Sequence, residues 1–202
     1  LNGPGGDLPL LLYPNTEQRV RVLCGQGTAP AQATIAHYRS LGLDLVPGTG
    51  LLATVVPGAF DAWMRLLQDY GTLRFEEVME PALHYAKNGV PVLPTVRDTI
   101  AQVQSLLATE WVTSAAVYLP HGQIPQHNSL LRNPALAATW KRLILEAQAA
   151  VSDRSQQIEA VRKAFYQGFV AEAIDQFCRT QEVMDTSGER NRGVLTGEDM
   201  AR

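Results

Sequence analysis

Residues 56–92 read VPGAFDAWMRLLQDYGTLRFEEVMEPALHYAKNGVPV, and this stretch decides the fold class. Phe60, Trp63, Met64 and Leu67 recur at i, i+3, i+4 and i+7, the stripe of an amphipathic helix over about residues 59–70. A tight turn at Tyr70-Gly71-Thr72-Leu73 separates it from a second helical pattern over about residues 74–87, with Val78, Ala82, Tyr85 and Ala86 on the face expected to be buried. Pro81 lies inside that second pattern and is expected to kink it or mark a fresh start, because its ring displaces the carbonyl four residues back. Pro57-Gly58 in front and Gly89-Val90-Pro91 behind close the pair into one packing unit without a catalytic constellation of its own.

Upstream of this unit, Leu8 to Tyr13 is an apolar run of strand length, Pro14 to Gln18 has turn chemistry, and Arg19 to Cys24 alternates with period two. The pattern predicts a β-hairpin with one buried face and Pro9 at an edge or at the strand's first residues. Gly25-Gln26-Gly27-Thr28-Ala29-Pro30 ends the second strand and leads to a helix over residues 31–41, stopped by Gly42. Two glycines around one polar side chain fit a strand-end binding loop or a plain connector, and both readings stand at this point. Pro47-Gly48-Thr49-Gly50 forbids a long helix, so residues 51–56 are expected as a short buried strand or an extended segment.

Downstream, Pro94 suits the first position of a helix to about residue 108, with Val96, Ile100, Val103 and Leu107 inward. Residues 109–127 are expected to be irregular. Asn133 is a natural N-cap before Pro134, opening a helix to about residue 151 whose stripe includes Leu136, Trp140, Leu143 and Ala147. Another helix starts near Ser152 or Asp153 and runs to about residue 183, open to a break at Gly168. Residues 185–193 are expected to be polar and mobile, and Thr196-Gly197-Glu198-Asp199 reads as the N-cap and first turn of a helix that the sequence ends before completing. The fold class is therefore predominantly α-helical with a short N-terminal β-hairpin. One domain over residues 1–202 is expected, with a hairpin and loop at 1–30, a helical region at 31–184, and a polar loop and truncated helix at 185–202.

Composition excludes more than it identifies. Seventeen basic against 20 acidic side chains leave a net charge of -3 and no basic footprint for nucleic acid or anionic lipid. No apolar run approaches the roughly 20 residues that cross a bilayer. Cys24 and Cys178 lie far apart, without metal-like spacing, and read as two buried thiols. His37, His84, His121 and His127 read as surface residues, and no metal or cofactor is implied; His121 and His127 lack the i, i+4 spacing of a helical zinc pair. Glu76, Glu77 and Glu80 lie in the first turns of a helix, where its dipole favours acids. Thr28 could act as a nucleophile only with a base, and none is apparent. No catalytic residue is identified in the chain. A start inside the Gly-rich run NGPGGD reads as that of a fragment or processed product, so periplasmic, extracellular and cytoplasmic settings all stay open.

The order of short blocks carries a resemblance. Val56-Pro57-Gly58 before a Trp-bearing helix, Tyr70-Gly71-Thr72-Leu73, Glu80-Pro81-Ala82 and Gly89-Val90-Pro91-Val92 resemble the central region of the γ-glutamyltransferase (γ-glutamyltranspeptidase) family. So do Leu130-Leu131 with Pro134, Ala164-Phe165-Tyr166-Gln167-Gly168, and Gly193-Val194-Leu195-Thr196 with Asp199, in the family's order. Gly5-Gly6-Asp7 and Thr28-Ala29-Pro30 are similar to its earlier blocks. The resemblance implies an internal piece of the large subunit of an N-terminal-nucleophile hydrolase with a four-layer αββα fold, made as a self-cleaving precursor. The catalytic Thr would then open the small subunit, outside this chain, with its own α-amine as base. The implied partners are the rest of the large subunit, the small subunit and a small γ-glutamyl or acyl-amide substrate, and the piece alone is expected to be inactive.

One position departs from the pattern. Counting back from Pro30, the place of the family's glutamyl-binding Arg falls on Gln26, with Gly27 where an acid normally follows. A neutral amide lacks the charged bidentate fork of an Arg. This form of the loop resembles the cephalosporin acylase-like branch, and it keeps open a second reading, a catalytically silent helical interaction module on the same scaffold. A hairpin without the rest of its sheet also leads us to expect self-association of the isolated piece.

Overall fold

A computed structural model describes residues 3–150 and 152–202. Strands β1 (Leu8–Leu12) and β2 (Arg21–Gly25) precede helix α1 (Ile35–Ser40) and a 3-10 turn at Leu51–Ala53. Helices α2 (Ala59–Tyr70) and α3 (Phe75–Asn88), strand β3 (Val90–Pro91), helices α4 (Pro94–Gln102), α5 (Gln104–Thr109) and α6 (Val112–Tyr118), strand β4 (Leu130–Leu131) and helix α7 (Pro134–Ala150) follow. Helices α8 (Arg154–Tyr166) and α9 (Phe169–Thr180), strands β5 (Val183–Met184) and β6 (Arg190–Asn191), and helix α10 (Gly197–Met200) complete it. The chain is mostly helical and opens on a β-hairpin, as its pattern predicts. Among the described residues no helix is long and apolar enough to cross a membrane. Contacts group the chain into two units: everything up to Phe75 together with Leu145–Arg202, and Glu76–Ile144.

In the first unit β1 and β2 pair antiparallel, from Leu8 opposite Gly25 to Leu12 opposite Arg21. The buried face is not the one that alternation suggests. Val20 and Val22 are 60% and 72% exposed, whereas Leu23 and Gly25 take the covered side. Gly25 lies so close to Ala62 of α2 that a Cβ there would sit 2.7 Å from the alanine Cβ. Cys24, expected to be buried, is exposed, since it alternates with the covered Leu23 and Gly25; Cys178 is buried, and both thiols are free.

The aromatic centre of this unit is Phe60, stacked on Phe165 of α8 at 4.1 Å and edge-on to Phe75 at 6.5 Å. Ile158 and Val161 of α8 are completely buried. Arg154 finishes α2: it donates to the carbonyls of Leu73 and Gly71, each at 2.8 Å, and of Leu67. One guanidinium thereby reaches three carbonyls at the end of α2 and in the turn that follows, where intrahelical donors run out; the Leu67 carbonyl also accepts from the Gly71 amide at 3.0 Å. A second cluster joins Tyr38, Leu52 and Val194, with the Tyr38 hydroxyl donating to the Leu52 carbonyl at 3.0 Å. The helix expected over 31–41 is shorter, because Thr34 caps it by accepting from the His37 amide.

Residues 185–193 form an ordered turn rather than a mobile loop. Asp185, 6% exposed, accepts from the Ser187 amide and hydroxyl and from Asn191, closing the β5–β6 hairpin. Burial alone would raise the Asp185 carboxyl, but these hydrogen bonds hold it below the ordinary carboxylate range. Thr196 and Asp199 form the expected N-terminal cap of α10 as a reciprocal capping box.

The second unit corrects three expectations. The helix expected over 94–108 divides at Val103, whose φ/ψ of -106/11 ends α4 and starts α5. Residues 112–118, expected to be irregular, form α6, because folding back lets Leu119 join Ile100 and Leu107 in one cluster with Trp111, Ala115 and Ile124 against it. In α3 the apolar face is rotated: Val78 and Tyr85 are 44% and 55% exposed, and Met79, Leu83 and Ala86 are the partly covered side chains. The helix runs through Pro81 unbroken. At an exposed position proline forfeits one bond to the carbonyl four residues back, which water can satisfy. Asn133 caps α7 as expected, accepting from the Leu136 amide at 3.0 Å.

Candidate functional site

A cleft of about 400 Å³ opens in the first unit where β2, the start of α2 and the end of α8 converge. One wall is the run from Leu23 to Thr28, the second is Val56-Pro57-Gly58 with Asp61, Ala62 and Arg65, and the third is formed by α8 from Glu159 to Tyr166. Gln26 stands exposed in the first wall, where the sequence singled it out. Its side-chain oxygen accepts from the Cys24 thiol at 3.7 Å, a weak and easily exchanged contact.

The glycines of the loop serve backbone packing. A Cβ on Gly27 would lie 1.4 Å from the Val56 carbonyl oxygen, and one on Gly58 would lie 2.3 Å from the Gly25 carbonyl oxygen and 2.7 Å from the Gln26 carbonyl carbon. Only residues without side chains permit so close an approach. The Val56 amide then donates to the Thr28 carbonyl at 3.0 Å, and the loop lies locked against the entry to α2. On its far side the Ala31 amide donates to Asp199 at 2.9 Å. Asp199 also accepts from the Thr196 hydroxyl and amide; burial would raise its carboxyl, and these bonds hold it low instead.

Opposite Gln26 lies a polar clamp built by α8. The Tyr166 hydroxyl donates to the Pro57 carbonyl at 2.5 Å and accepts from the Asp61 amide at 2.9 Å, so one group holds both ends of the first turn of α2. Burial pushes the phenol up to about 12, keeping it a neutral donor through the physiological range. Arg162, one turn back, grips Asp61 at 2.6 Å and Glu159 at 2.6 Å. Burial works against its charge, but the two carboxylates outweigh it and hold the guanidinium above its ordinary pKa.

Four cationic side chains, Arg65, Arg162, Lys163 and Arg202, line the cleft against two anionic ones, Asp61 and Glu159. Both carboxylates are engaged by Arg162, so the balance favours a small ligand carrying negative charge. Thr28 is exposed in the same wall, yet no histidine lines the cleft and neither carboxylate is free to act as its base. The cleft thus offers charged and polar groups to a ligand, and Thr28 has no carboxylate or histidine base among the described residues that line it. Elsewhere, His84 meets Asn88 at 3.1 Å on α3, and among the described residues no cluster of His, Cys, Asp and Glu assembles that could hold a metal. Tyr166, Arg162 and Asp61 escaped the reading of the sequence because their partners lie more than 100 residues away. The one available signal was Tyr166 within the block Ala164 to Gly168.

The family model described as Gamma-glutamyltranspeptidase matches residues 1–202. A glutathione hydrolase-like YwrD proenzyme of Bacillus subtilis is 29% identical over 176 residues, which cover 86% of this chain and 30% of that protein. Two solved structures of LmbA2991 superpose with TM-scores of 0.94 and 0.93 at 56% and 55% identity, covering 100% and 99% of this chain and 34% of each of theirs. The cephalosporin acylase of Bacillus halodurans superposes with a TM-score of 0.74 at 25% identity, over 99% of this chain and 34% of its own. The chain thus spans about a third of the length of these relatives.

Proposed function

The chain belongs to the gamma-glutamyltranspeptidase family, and from that premise we propose that it is an internal part of the large subunit of a precursor enzyme that hydrolyses or transfers the acyl group of small amides. The names of the relatives, a glutathione hydrolase-like proenzyme and a cephalosporin acylase, support this reaction class. In this reading the Thr nucleophile and its α-amine base belong to the small subunit, which packs with the rest of the large subunit as the partner of these residues. The 202 residues alone bind and orient but do not turn over substrate.

The observation that carries the reading is the placement of Gln26, exposed in the wall of a small-molecule-sized cleft by a loop whose backbone is locked. Its amide offers directional hydrogen bonds to the acyl portion of the substrate without the charge of an arginine fork. The enzyme therefore discriminates less strongly for a γ-glutamyl α-carboxylate, and takes related acyl amides as well. Steady-state kinetics of the intact precursor on a γ-glutamyl anilide and on a butyryl anilide, which lacks the α-amine and α-carboxylate, test this. Gln26→Arg is expected to shift kcat/KM toward the γ-glutamyl substrate by at least tenfold. Self-cleavage of the precursor with no turnover of either anilide would sink the substrate class. Failure to self-cleave would favour the silent-module reading, which draws its support from the lack of a nucleophile–base pair in the cleft.

A further inference from the structure

The polar clamp of α8 has a role beyond holding two helices together. The Tyr166 hydroxyl bonds two main-chain groups at the entry to α2, the Pro57 carbonyl and the Asp61 amide, and these flank Gly58. Gly58 in turn is the residue at which a Cβ would lie 2.3 Å from the Gly25 carbonyl oxygen and 2.7 Å from both the Gln26 carbonyl carbon and the Gly27 amide nitrogen. The route from the phenol to the Gln26 main chain therefore consists of one hydrogen bond and one backbone approach too close to admit a Cβ at residue 58. Arg162 backs the same turn from the side by binding Asp61, and it is itself fixed by Glu159.

We propose that Tyr166 is a positioning residue for substrate recognition: its hydroxyl sets the Pro57-Gly58 entry to α2 and, through it, the direction in which Gln26 meets the substrate. This rests on Gln26 being the substrate contact. Tyr166 itself donates to protein, and its action is indirect. Loss of the hydroxyl leaves the ring stack of Phe60, Phe165 and Tyr166 in place, so Tyr166→Phe removes the clamp while keeping the packing.

The test is a double-mutant cycle in the intact precursor with the better of the two anilides. Tyr166→Phe is expected to raise KM about fivefold with kcat nearly unchanged, the size of effect that one hydrogen bond carries. In a Gln26→Ala background the same substitution is expected to change KM by less than about twofold, because the side chain being aimed is gone. Tyr38→Phe, which removes another hydroxyl-to-carbonyl bond in the same unit away from the cleft, serves as the control and leaves KM unchanged. Equal effects of Tyr166→Phe in both backgrounds, or an equal KM rise in Tyr38→Phe, overturn the proposal. Hydrogen exchange provides a readout that needs no turnover: the Val56 amide, bonded to Thr28 across the loop contact, should exchange about fivefold faster in Tyr166→Phe. Unchanged exchange at Val56 overturns the proposal by itself. Faster exchange combined with no KM effect of Gln26→Ala upholds the clamp and instead overturns Gln26 as the substrate contact.

Discussion

Helices α2 and α3 come from adjacent patterns of equal clarity and end very differently. α2 buries Ala59, Phe60, Ala62, Met64 and Leu67, whereas α3 buries Phe75 alone and leaves Val78 and Tyr85 about half exposed. α2 has β2 against Ala62 and α8 against Phe60, Tyr166 at its start and Arg154 at its finish. Periodicity states that a helix has an apolar side; it is silent about what the rest of the chain sets against that side. In this molecule the cleft was built on the helix held at both ends.

That contrast can be broken by measurement. Phe60→Ala should cost about 3–5 kcal/mol in urea unfolding, since a stacked ring that is 1% exposed leaves a cavity its neighbours cannot fill. A loss under about 1 kcal/mol would mean that α2 is no better anchored than α3. Arg154→Ala should cost about 2 kcal/mol by the same assay, as three carbonyls lose one charged donor and the partly exposed site readmits some water. Next in size is a pH effect at the other end of α2. The Tyr166 phenol titrates higher when folded than when unfolded, so its contribution is complete below pH of about 10 and is lost as pH rises toward about 12. Thermal melts should fall over that window in the wild type and fall less steeply in Tyr166→Phe. Tyr85→Ala on α3 should stay within about 0.5 kcal/mol of the parent; a loss of 2 kcal/mol or more would erase the distinction between the helices.

What the sequence disclosed follows from the range of the interactions involved. The bounds of α2, the Asn133 cap of α7 and the Thr196 and Asp199 capping box rest on contacts within a few residues, the hairpin at residues 8–25 on neighbouring segments joined by one turn, and each was legible. Gln26 was legible as a position because the glycines on either side of it mark a special backbone. The reason for those glycines was not, since the atoms they make room for belong to Val56 and to the turn at Gly58. The same holds for the covered face of the hairpin, decided by Ala62, and for the exposure of Cys24. Asp185 was misread from composition: a polar run suggests mobility, but a short aspartate bonded to Ser187 and Asn191 orders a turn. The clamp of Tyr166, Arg162 and Asp61 was marked only by the place of Tyr166 in the block Ala164 to Gly168, because its partners lie more than 100 residues away.

The bond from the Ala31 amide to Asp199 joins positions 168 residues apart, and between them lies the whole of Glu76–Ile144. On a ribosome adding about 5–20 residues per second, the loop at Gln26 emerges roughly 8–34 s before the carboxylate that finishes it. During that interval the Ala31 amide is without the Asp199 carboxylate that accepts from it. The order of synthesis thus leaves the loop at Gln26 to be finished only after α10 has been made.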